Sequence, residues 1–424
     1  MRVLVLGSGA REHALVHTIA SSPSVDGLYA APGNPGMVDI AELLDLGLAD
    51  LEGIAAAAAE LAIDLTVVGP EVPLAEGIGD VFASRGLRLF GPVAAAAELE
   101  ASKIFAKEFC LRHGVPTAAA EIVQTAEDAA RAVQRFGFPV VLKADGLAAG
   151  KGVLIVSSES ELETALDDLF VARRFGAAAD RVLVEECLEG TEVSFMVISD
   201  GTRTESFATS HDYKRLGDGD SGPNTGGMGS HSPAFALSDD LRDEILDTVI
   251  RPTVAGMAAE GREYRGILYA GLMLTSDGPK VLEFNCRLGD PETQSVLRRF
   301  DGDLAAVFRD AADGHIEPGC MKWKEEVGAC VVLAAENYPA GPRVGDEIHG
   351  EDQAEALPGV VVFHAGTKRD GDRLLTAAGR VLSVTATGET LADAVDLAYR
   401  GVRCVRFDGA HNRSDIGADT LGRK

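Results

Sequence analysis

"VLEFNCRLGDPETQ", residues 281–294, begins as a strand whose two faces differ in kind. Leu282, Phe284 and Cys286 are apolar, while Glu283, Asn285 and Arg287 are polar. Side chains two apart in a strand share a face. The alternation predicts one face packed inward and one presenting a carboxylate, an amide and a guanidinium in a row. Glu283 and Asn285 would then stand about 7 Å apart along the strand. Both offer hard oxygen donors. That suits Mg²⁺, with Mn²⁺ as the alternative, because such ions keep waters and substrate phosphates alongside few protein ligands. Zinc would want His or Cys. Arg287, next on that face, could neutralise a carboxylate or a developing phosphoryl charge. Taken alone, the row has a plainer rival reading as a polar strand edge with a cross-strand ion pair.

Other loops offer matching chemistry. "KADGLAAGKG" (143–152) lies between the predicted strands "FPVVLKA" and "GVLIVS". It is not a Walker A loop: Gly146 is too close to Gly150-Lys151, a glycine follows the lysine, and a strand follows instead of a helix. A glycine-rich flap between strands can still bring backbone amides up to phosphate oxygens. Lys143 supplies a fixed positive charge beside it. An ordinary hairpin with surface lysines is the plainer reading. "VLVEECLEG" (182–190) puts Glu185 and Glu186 at a strand end, suited to a nucleobase slot, with Glu192 placed for ribose hydroxyls; a solvated strand end fits as well. "HDYKRLGDGDSGPNTGGMG" (211–229) reads as a long polar loop mixing Asp212, Lys214, Arg215 and Asn224 with glycines. Long loops inside a domain are usually functional or disordered, and this composition suggests anion binding.

The N-terminal "GSGARE" follows the strand "RVLVL". Gly7 and Gly9 match a dinucleotide fingerprint, but Glu12 occupies its third glycine position. No ribose-binding acid ends the second strand, where "LYAAPGNPG" stands. Nicotinamide or flavin binding is disfavoured. A phosphate of another ligand could sit at the helix N-terminus with Arg11 as partner, or the loop is a tight structural turn.

The chain has 424 residues, enough for two to four domains. Hydrophobic residues make up 46%, ample for folded cores. Lys and Arg number 39 against 66 Asp and Glu, a net charge of −27, which opposes binding to nucleic acid or anionic membrane. The N-terminal apolar run, followed at once by Arg11, Glu12 and His13, is too short to read as a signal peptide, and no apolar run is long enough to predict a membrane span. Six scattered cysteines without a CxxC argue against zinc and disulfides and for a cytoplasmic protein.

Residues 1–101 alternate strands and helices, with Gly/Pro loops after the strands, predicting an open parallel α/β domain. The Ala-rich runs near 54–61 and 93–100 suit surface helices. Residues 102–324 read as a core: a helix with Lys103 and Lys107, a subdomain at about 116–187, and the hairpin that ends in "VLEFN". Residues 325–424 turn β-rich with one helix at 389–402, a small separate α+β domain.

Together, "KADGLAAGKGV", "PNTGGMG" and "EFNCRLGDPETQ" resemble the ATP-grasp carboxylate–amine ligases, and within them the phosphoribosylamine–glycine ligase family. "GAREHAL", "APGNPG", "VFHAGT" and "GRVLSVTA" extend the likeness across nearly the whole chain. The resemblance implies an ATP-grasp core with a mobile lid and a reaction joining glycine to 5-phosphoribosylamine through glycyl phosphate, using ATP and Mg²⁺. It also implies the following roles. Lys103, Lys143, Gly150 and Lys151 would contact ATP; Glu185, Glu186 and Leu188 would frame adenine; Glu192 would hold ribose. Glu283 and Asn285 would ligate metal. Arg287, Asp212 and Lys214 would face the reacting groups. Gly7, Gly9, Arg11, Glu12, Asn34, Pro35, Asn224, Gly226, Gly227, Met228, Asp290 and Pro291 would hold the substrates.

A monomer is expected, and because phosphoribosylamine is labile, a transient handover from the enzyme that makes it is a further expectation. Tyr213 stands where the family more usually has histidine, the first loop is poorer in glycine, and "HNRSDIG" (411–417) departs from a commoner form. Rival readings are another ATP-grasp ligase or carboxylase, and a nucleotide-binding regulator without catalysis.

Overall fold

The computed structural model describes residues 1–147 and 152–422. The predicted flap residues Gly150 and Lys151 lie outside them. Residues 1–101 form a five-stranded parallel sheet from Arg2–Gly7, Gly27–Pro32, Glu42–Leu43, Leu65–Val68 and Leu89–Phe90. Its spatial order is third, second, first, fourth, fifth. Direction of travel reverses beside the first strand, so the loops after Gly7 and after Val68 border a crevice at the strands' C-terminal ends. Val3, Leu4, Val5 and Leu6 are fully buried, as a parallel strand covered on both faces requires. The Ala-rich runs do form helices, Leu51–Glu60 and Ala94–Ala101. The second is not a surface helix: Ala96, Ala97, Leu99 and Glu100 are buried, and Glu100 meets Arg287.

Two antiparallel sheets follow. One orders Thr204–Ser206, Thr191–Asp200, Arg265–Thr275 and Gly278–Asn285. The other orders Ala120–Val123, Val182–Glu186, Val140–Ala144 and Val153–Val156. The second sheet packs Val140, Leu142, Val184 and Val156 with Ala129, Val133 and Leu162, from the helices Ala126–Phe136 and Glu159–Leu166, into a core of its own. Register places Ile122, Leu183, Lys143 and Val153 in one row across its other face. Ala120, Glu185, Val141 and Ile155 form the next row there. This is an apolar surface with a lysine and a glutamate set into it.

The last sheet orders His211–Asp212, Gly229–Ser232, Val327–Ala334, Arg380–Gly388 and Val360–His364, with helix Leu391–Val402 packed on it. Its first two strands come from the segment read as a loop, so the sheet crosses the boundary expected at 324/325. The reason is backbone satisfaction. All eight residues of Val327–Ala334 are buried, so both edges of that strand need hydrogen-bonding partners. Gly229–Ser232 supplies one edge. The rest of the expected loop is also ordered: Arg215–Gly217 pairs with Ser221–Asn224 as a hairpin.

The C-terminal "HNRSDIG" clamps that hairpin. Buried Arg413 bonds Asp220 and Asp415, both at 2.7 Å, and lies 5.0 Å from the centre of the Tyr213 ring. The Tyr213 hydroxyl donates to Asp419 at 2.5 Å and accepts from the Gly417 amide at 2.9 Å. Tyr213 therefore anchors the chain's end. No helix among the described residues is long and apolar enough to cross a membrane. All six cysteines are free.

The first helix, Ala10–Ala20, meets the last sheet at a buried histidine pair. His13 Nδ1 accepts from the His364 amide at 2.9 Å, and His364 bonds Thr367 and Glu351. Burial, and then neighbouring His364 and His17, push His13 down to about 3. Unfolded, this imidazole takes a proton near 6.5; folded, it stays neutral until about 3. Its contribution is thus complete above pH 6.5 and is lost as pH falls toward 3, amounting to about 2 kcal/mol by pH 5. The melting temperature of His13→Asn, which keeps an acceptor, will fall less between pH 7 and 5 than the parent's. Parallel slopes would remove His13 from the account.

Candidate active site

The strand Gly278–Asn285 carries the site, but its alternation is broken. Glu283 pairs with Gly271 and Val281 with the next residue, Leu272, so Leu282 is an inserted bulge residue. Val281, Phe284 and Cys286 consequently share one core, and Leu282, expected beside Phe284, does not join it. The bulge also frees the Leu282 carbonyl, which accepts from Lys143 Nζ at 2.9 Å. Glu283 lies 3.8 Å from Lys214 Nζ, and Lys214 also pairs with Glu192. Burial alone would raise the Glu283 carboxyl. Lys214, Lys143, Lys103 and Arg287 outweigh it and hold the group below its usual range. Glu283 is therefore an ionised hard donor two positions from Asn285 on the strand. No cluster of three or more His, Cys, Asp or Glu able to hold a metal exists among the described residues. The pair fits a cation that draws its remaining ligands from phosphate and water.

Lys143 reaches Glu185 at 2.6 Å, and Glu185 also meets Lys107 at 2.8 Å. Lys107 donates further to Thr117 Oγ1 at 2.6 Å and to the Ala118 carbonyl at 2.8 Å. Glu185 is thus bonded to two ammonium groups. Glu186 accepts from the Ala119 amide at 2.9 Å, and Leu188 is half-buried on the turn beyond. Lys103 opens the helix Lys103–His113 and donates to the Gly146 carbonyl at 2.8 Å, at the root of the predicted flap. Lys107 had one signal in the sequence: it sits four residues after Lys103, on the same helical face.

Arg287 was expected to face the reacting carboxylate. Instead its guanidinium holds Glu71 at 3.2 Å and Glu100 at 3.0 Å, tying the strand to the N-terminal unit. Glu100 also accepts from the Cys286 amide at 2.7 Å. Burial raises Glu100 above its normal range despite Arg287.

Asp212 lies among the charges of Glu292, Lys214 and Glu192. Its Oδ1 is buried with no hydrogen-bond partner. Burial, and then the charge of Glu292, push its carboxyl well above the usual range. Glu292, unassigned from the sequence, is buried and accepts from Ser194 Oγ at 3.1 Å, whose oxygen is 2.8 Å from Tyr269 OH. Nothing in the residue pattern marks Ser194 or Tyr269, because the partner strand alone brings them there. Lys214 is raised: burial lowers it, and Glu192, Tyr269, Glu283 and Asp212 more than compensate.

Several predicted substrate contacts are occupied within the fold. Glu12 caps its own helix, accepting from the Gly9 amide at 2.6 Å, and pairs with Arg11 at 2.6 Å. A Cβ on Gly7, Gly9 or Gly69 would stand 2.3, 2.7 or 2.2 Å from the Glu12 side chain. These glycines make room for that carboxylate. Gly7, at φ +127, would be strained with any side chain. Arg11 donates also to the Leu288 carbonyl at 3.2 Å. Asn34 is fully used: it donates to the Ser8 and His364 carbonyls at 2.9 and 2.8 Å and accepts from Gly36. Pro35 starts the turn that follows. Asn224 pairs with Arg215 in the hairpin. Met228 is fully buried, with its amide and carbonyl bonded to Tyr213 and Val332. Asp290 is bonded to Gln294 at 2.7 Å and Arg380 at 2.9 Å, with Pro291 against Gly227.

Three family models cover the chain in the order its sheets follow: phosphoribosylglycinamide synthetase N domain at 1–100, ATP-grasp (A) domain at 101–293, and C domain at 328–419. The chain belongs to the phosphoribosylglycinamide synthetase family. It is 48% identical to the phosphoribosylamine–glycine ligase of Yersinia pestis and 46% identical to that of Salmonella typhimurium, covering 100% of each chain in both comparisons. The crystal structure of phosphoribosylamine–glycine ligase from Thermotoga maritima matches with a TM-score of 0.85 at 34% identity, over 98% of this chain and 100% of that one. A biotin carboxylase from Campylobacter jejuni shares the fold, with a TM-score of 0.72 at 17% identity over 97% of this chain and 92% of its own. Glu283 and Asn285 fall inside the stretch matched by the ATP-grasp (A) domain, residues 101–293.

Proposed function

We infer that this chain ligates glycine to 5-phosphoribosylamine with cleavage of ATP to ADP and phosphate, giving glycinamide ribonucleotide, a step of purine biosynthesis. The observation that carries the reading is Glu283, kept ionised by Lys214, Lys143 and Lys103 from separate elements. Those lysines are where phosphates would lie. Residues 102–324 act as the ATP-grasp core, with about 116–187 as the lid whose apolar rows, around Val141 and Ile155, receive the base. Glu283 and Asn285 would hold Mg²⁺ or Mn²⁺, which supplies charge neutralisation across the phosphates.

A carboxylate is a poor acylating agent. A glycine carboxylate oxygen attacks the γ-phosphorus and ADP leaves, forming glycyl phosphate. The amine nitrogen of phosphoribosylamine then attacks the glycyl carbonyl, phosphate leaves, and the nitrogen gives up a proton. Lys214 stabilises the charge that passes between these groups. Asp212, raised by burial and Glu292, and aimed into the site with a free oxygen, is placed to take the proton. No enzyme nucleophile is needed. The chain works in the reducing cytoplasm, as a monomer.

The test is ADP release with Mg·ATP, glycine and phosphoribosylamine generated in situ, omitting one component at a time. Release that requires both co-substrates is expected. ATP binding without release in the complete mixture would overturn the substrate assignment.

A further inference from the structure

"GRVLSVTA" is left without a role by the reaction above. Its arginine, Arg380, opens the strand Arg380–Gly388 in the C-terminal sheet, yet its guanidinium reaches out of that sheet into the gap between two site loops. Nη1 donates to the Gly226 carbonyl at 2.5 Å and to the Asp290 carbonyl at 2.7 Å. Nη2 donates to the Asp290 carboxylate at 2.9 Å. One planar fork therefore joins the 225–228 turn to the 289–291 turn, a geometry that lysine cannot reproduce.

Both turns hold site groups. From the 225–228 turn, Thr225 gives its amide and its hydroxyl to the Lys214 carbonyl, both at 2.8 Å. Gly227 abuts the other components: a Cβ there would stand 2.7 Å from Asp212 Oδ1 and 2.3 Å from Pro291. From the 289–291 turn the chain runs directly into buried Glu292. Gly226 is shaped to the arginine, since a Cβ on it would meet the guanidinium carbon at 3.0 Å. The opposite side of the Gly226 peptide is fixed by Tyr338 OH, which accepts from its amide at 3.0 Å.

We propose that Arg380 is a positioning residue for the ligation: from the C-terminal sheet it locks the turn behind Asp212 and Lys214 against the turn behind Asp290 and Glu292. It touches backbone and Asp290, and it sets the spacing of the groups around the reacting carboxyl and amine. The nucleotide-facing lysines, Lys103 and Lys143, bond to Gly146, Leu282 and Glu185 instead, so they are independent of it. The inference rests on the ligase reading above.

The experiment compares the parent with Arg380→Lys, Arg380→Ala and Gly226→Ala in the complete full-length assay, together with ATP-analogue affinity. Gly226→Ala is a second route to the same displacement, because Gly226 does not require a positive φ. A misplacement near an ångström costs about a hundred-fold in rate. Expected is a kcat loss of that order in Arg380→Lys and Arg380→Ala and about ten-fold in Gly226→Ala, with ATP-analogue Kd within two-fold of the parent. Millimolar guanidinium, at concentrations that leave the parent unaffected, is expected to restore at least part of the kcat of Arg380→Ala but not of Gly226→Ala. Unchanged kcat in Arg380→Lys would overturn the proposal. So would equal losses of kcat and ATP affinity without guanidinium rescue, which mark a general loss of structure. A parent that releases no ADP would instead overturn the ligase reading itself.

Discussion

Glu283→Gln lowers kcat by about a hundred- to a thousand-fold while the protein stays folded. The carboxylate is ionised because Lys214, Lys143 and Lys103 outweigh its partial burial. Glutamine keeps the shape and one oxygen but removes the charge. A metal clamp on transferring phosphate supplies several kcal/mol, and each 1.4 kcal/mol is a factor of ten in rate. The lost charge also leaves three lysines facing one another with less to neutralise them, so nucleotide without metal should bind at least as well as in the parent. Two readouts separate the possibilities: turnover, and titration of bound Mn²⁺ in the presence of an ATP analogue. Full turnover with parent-like Mn²⁺ affinity would break the metal assignment. Lost turnover with parent-like Mn²⁺ affinity would move Glu283 from the metal to the lysines.

Glu185→Leu destabilises the protein by about 3–5 kcal/mol, the cost of leaving buried charges without their counter-ion. The Lys107, Lys143 and Glu185 side chains are 6%, 9% and 4% exposed, so water cannot replace the lost carboxylate. Glu185 joins the helix Lys103–His113 to the sheet of the proposed lid through those two lysines, and Lys143 is itself fastened to the bulge carbonyl of Leu282. Urea unfolding read by far-ultraviolet circular dichroism will show the loss. Adding Lys107→Met will recover part of it, because groups in one network are not additive. Simple addition of the two single effects would show that the three side chains do not act together.

Much of this was legible in the sequence, and what was missed shares a cause. The parallel N-terminal sheet and the long hairpin announced themselves through apolar runs closed by Gly/Pro loops. The polar face of 283–287 was visible as a row, and the structure sets the Glu283 carboxylate of that row 3.8 Å from Lys214. The bulge at Leu282 was not visible, because it is set by pairing with Gly271 on the partner strand. The strands His211–Asp212 and Gly229–Ser232 are too short and too rich in glycine and polar residues to show a period; the unpaired edge of Val327–Ala334 recruits them. Charge identity was likewise plain where charge pairing was not. Arg287 and Glu185 were the right kinds of group for a phosphate and a base, yet distant residues, Glu71, Glu100 and Lys107, occupy them. Glu12 taught the opposite lesson. It was read as a misfit with a dinucleotide fingerprint, and the structure supplies the reason that the glycines around it are there.

The most direct test of the account is the fate of a heavy oxygen isotope placed in the glycine carboxylate. Turnover with ATP and phosphoribosylamine should carry one labelled oxygen into inorganic phosphate and leave the other in the amide product, because phosphate departs with the oxygen that attacked the γ-phosphorus. Label absent from phosphate in a mixture that makes product would contradict activation of glycine by phosphorylation, and with it the chemistry assigned to Glu283, Lys214 and Asp212.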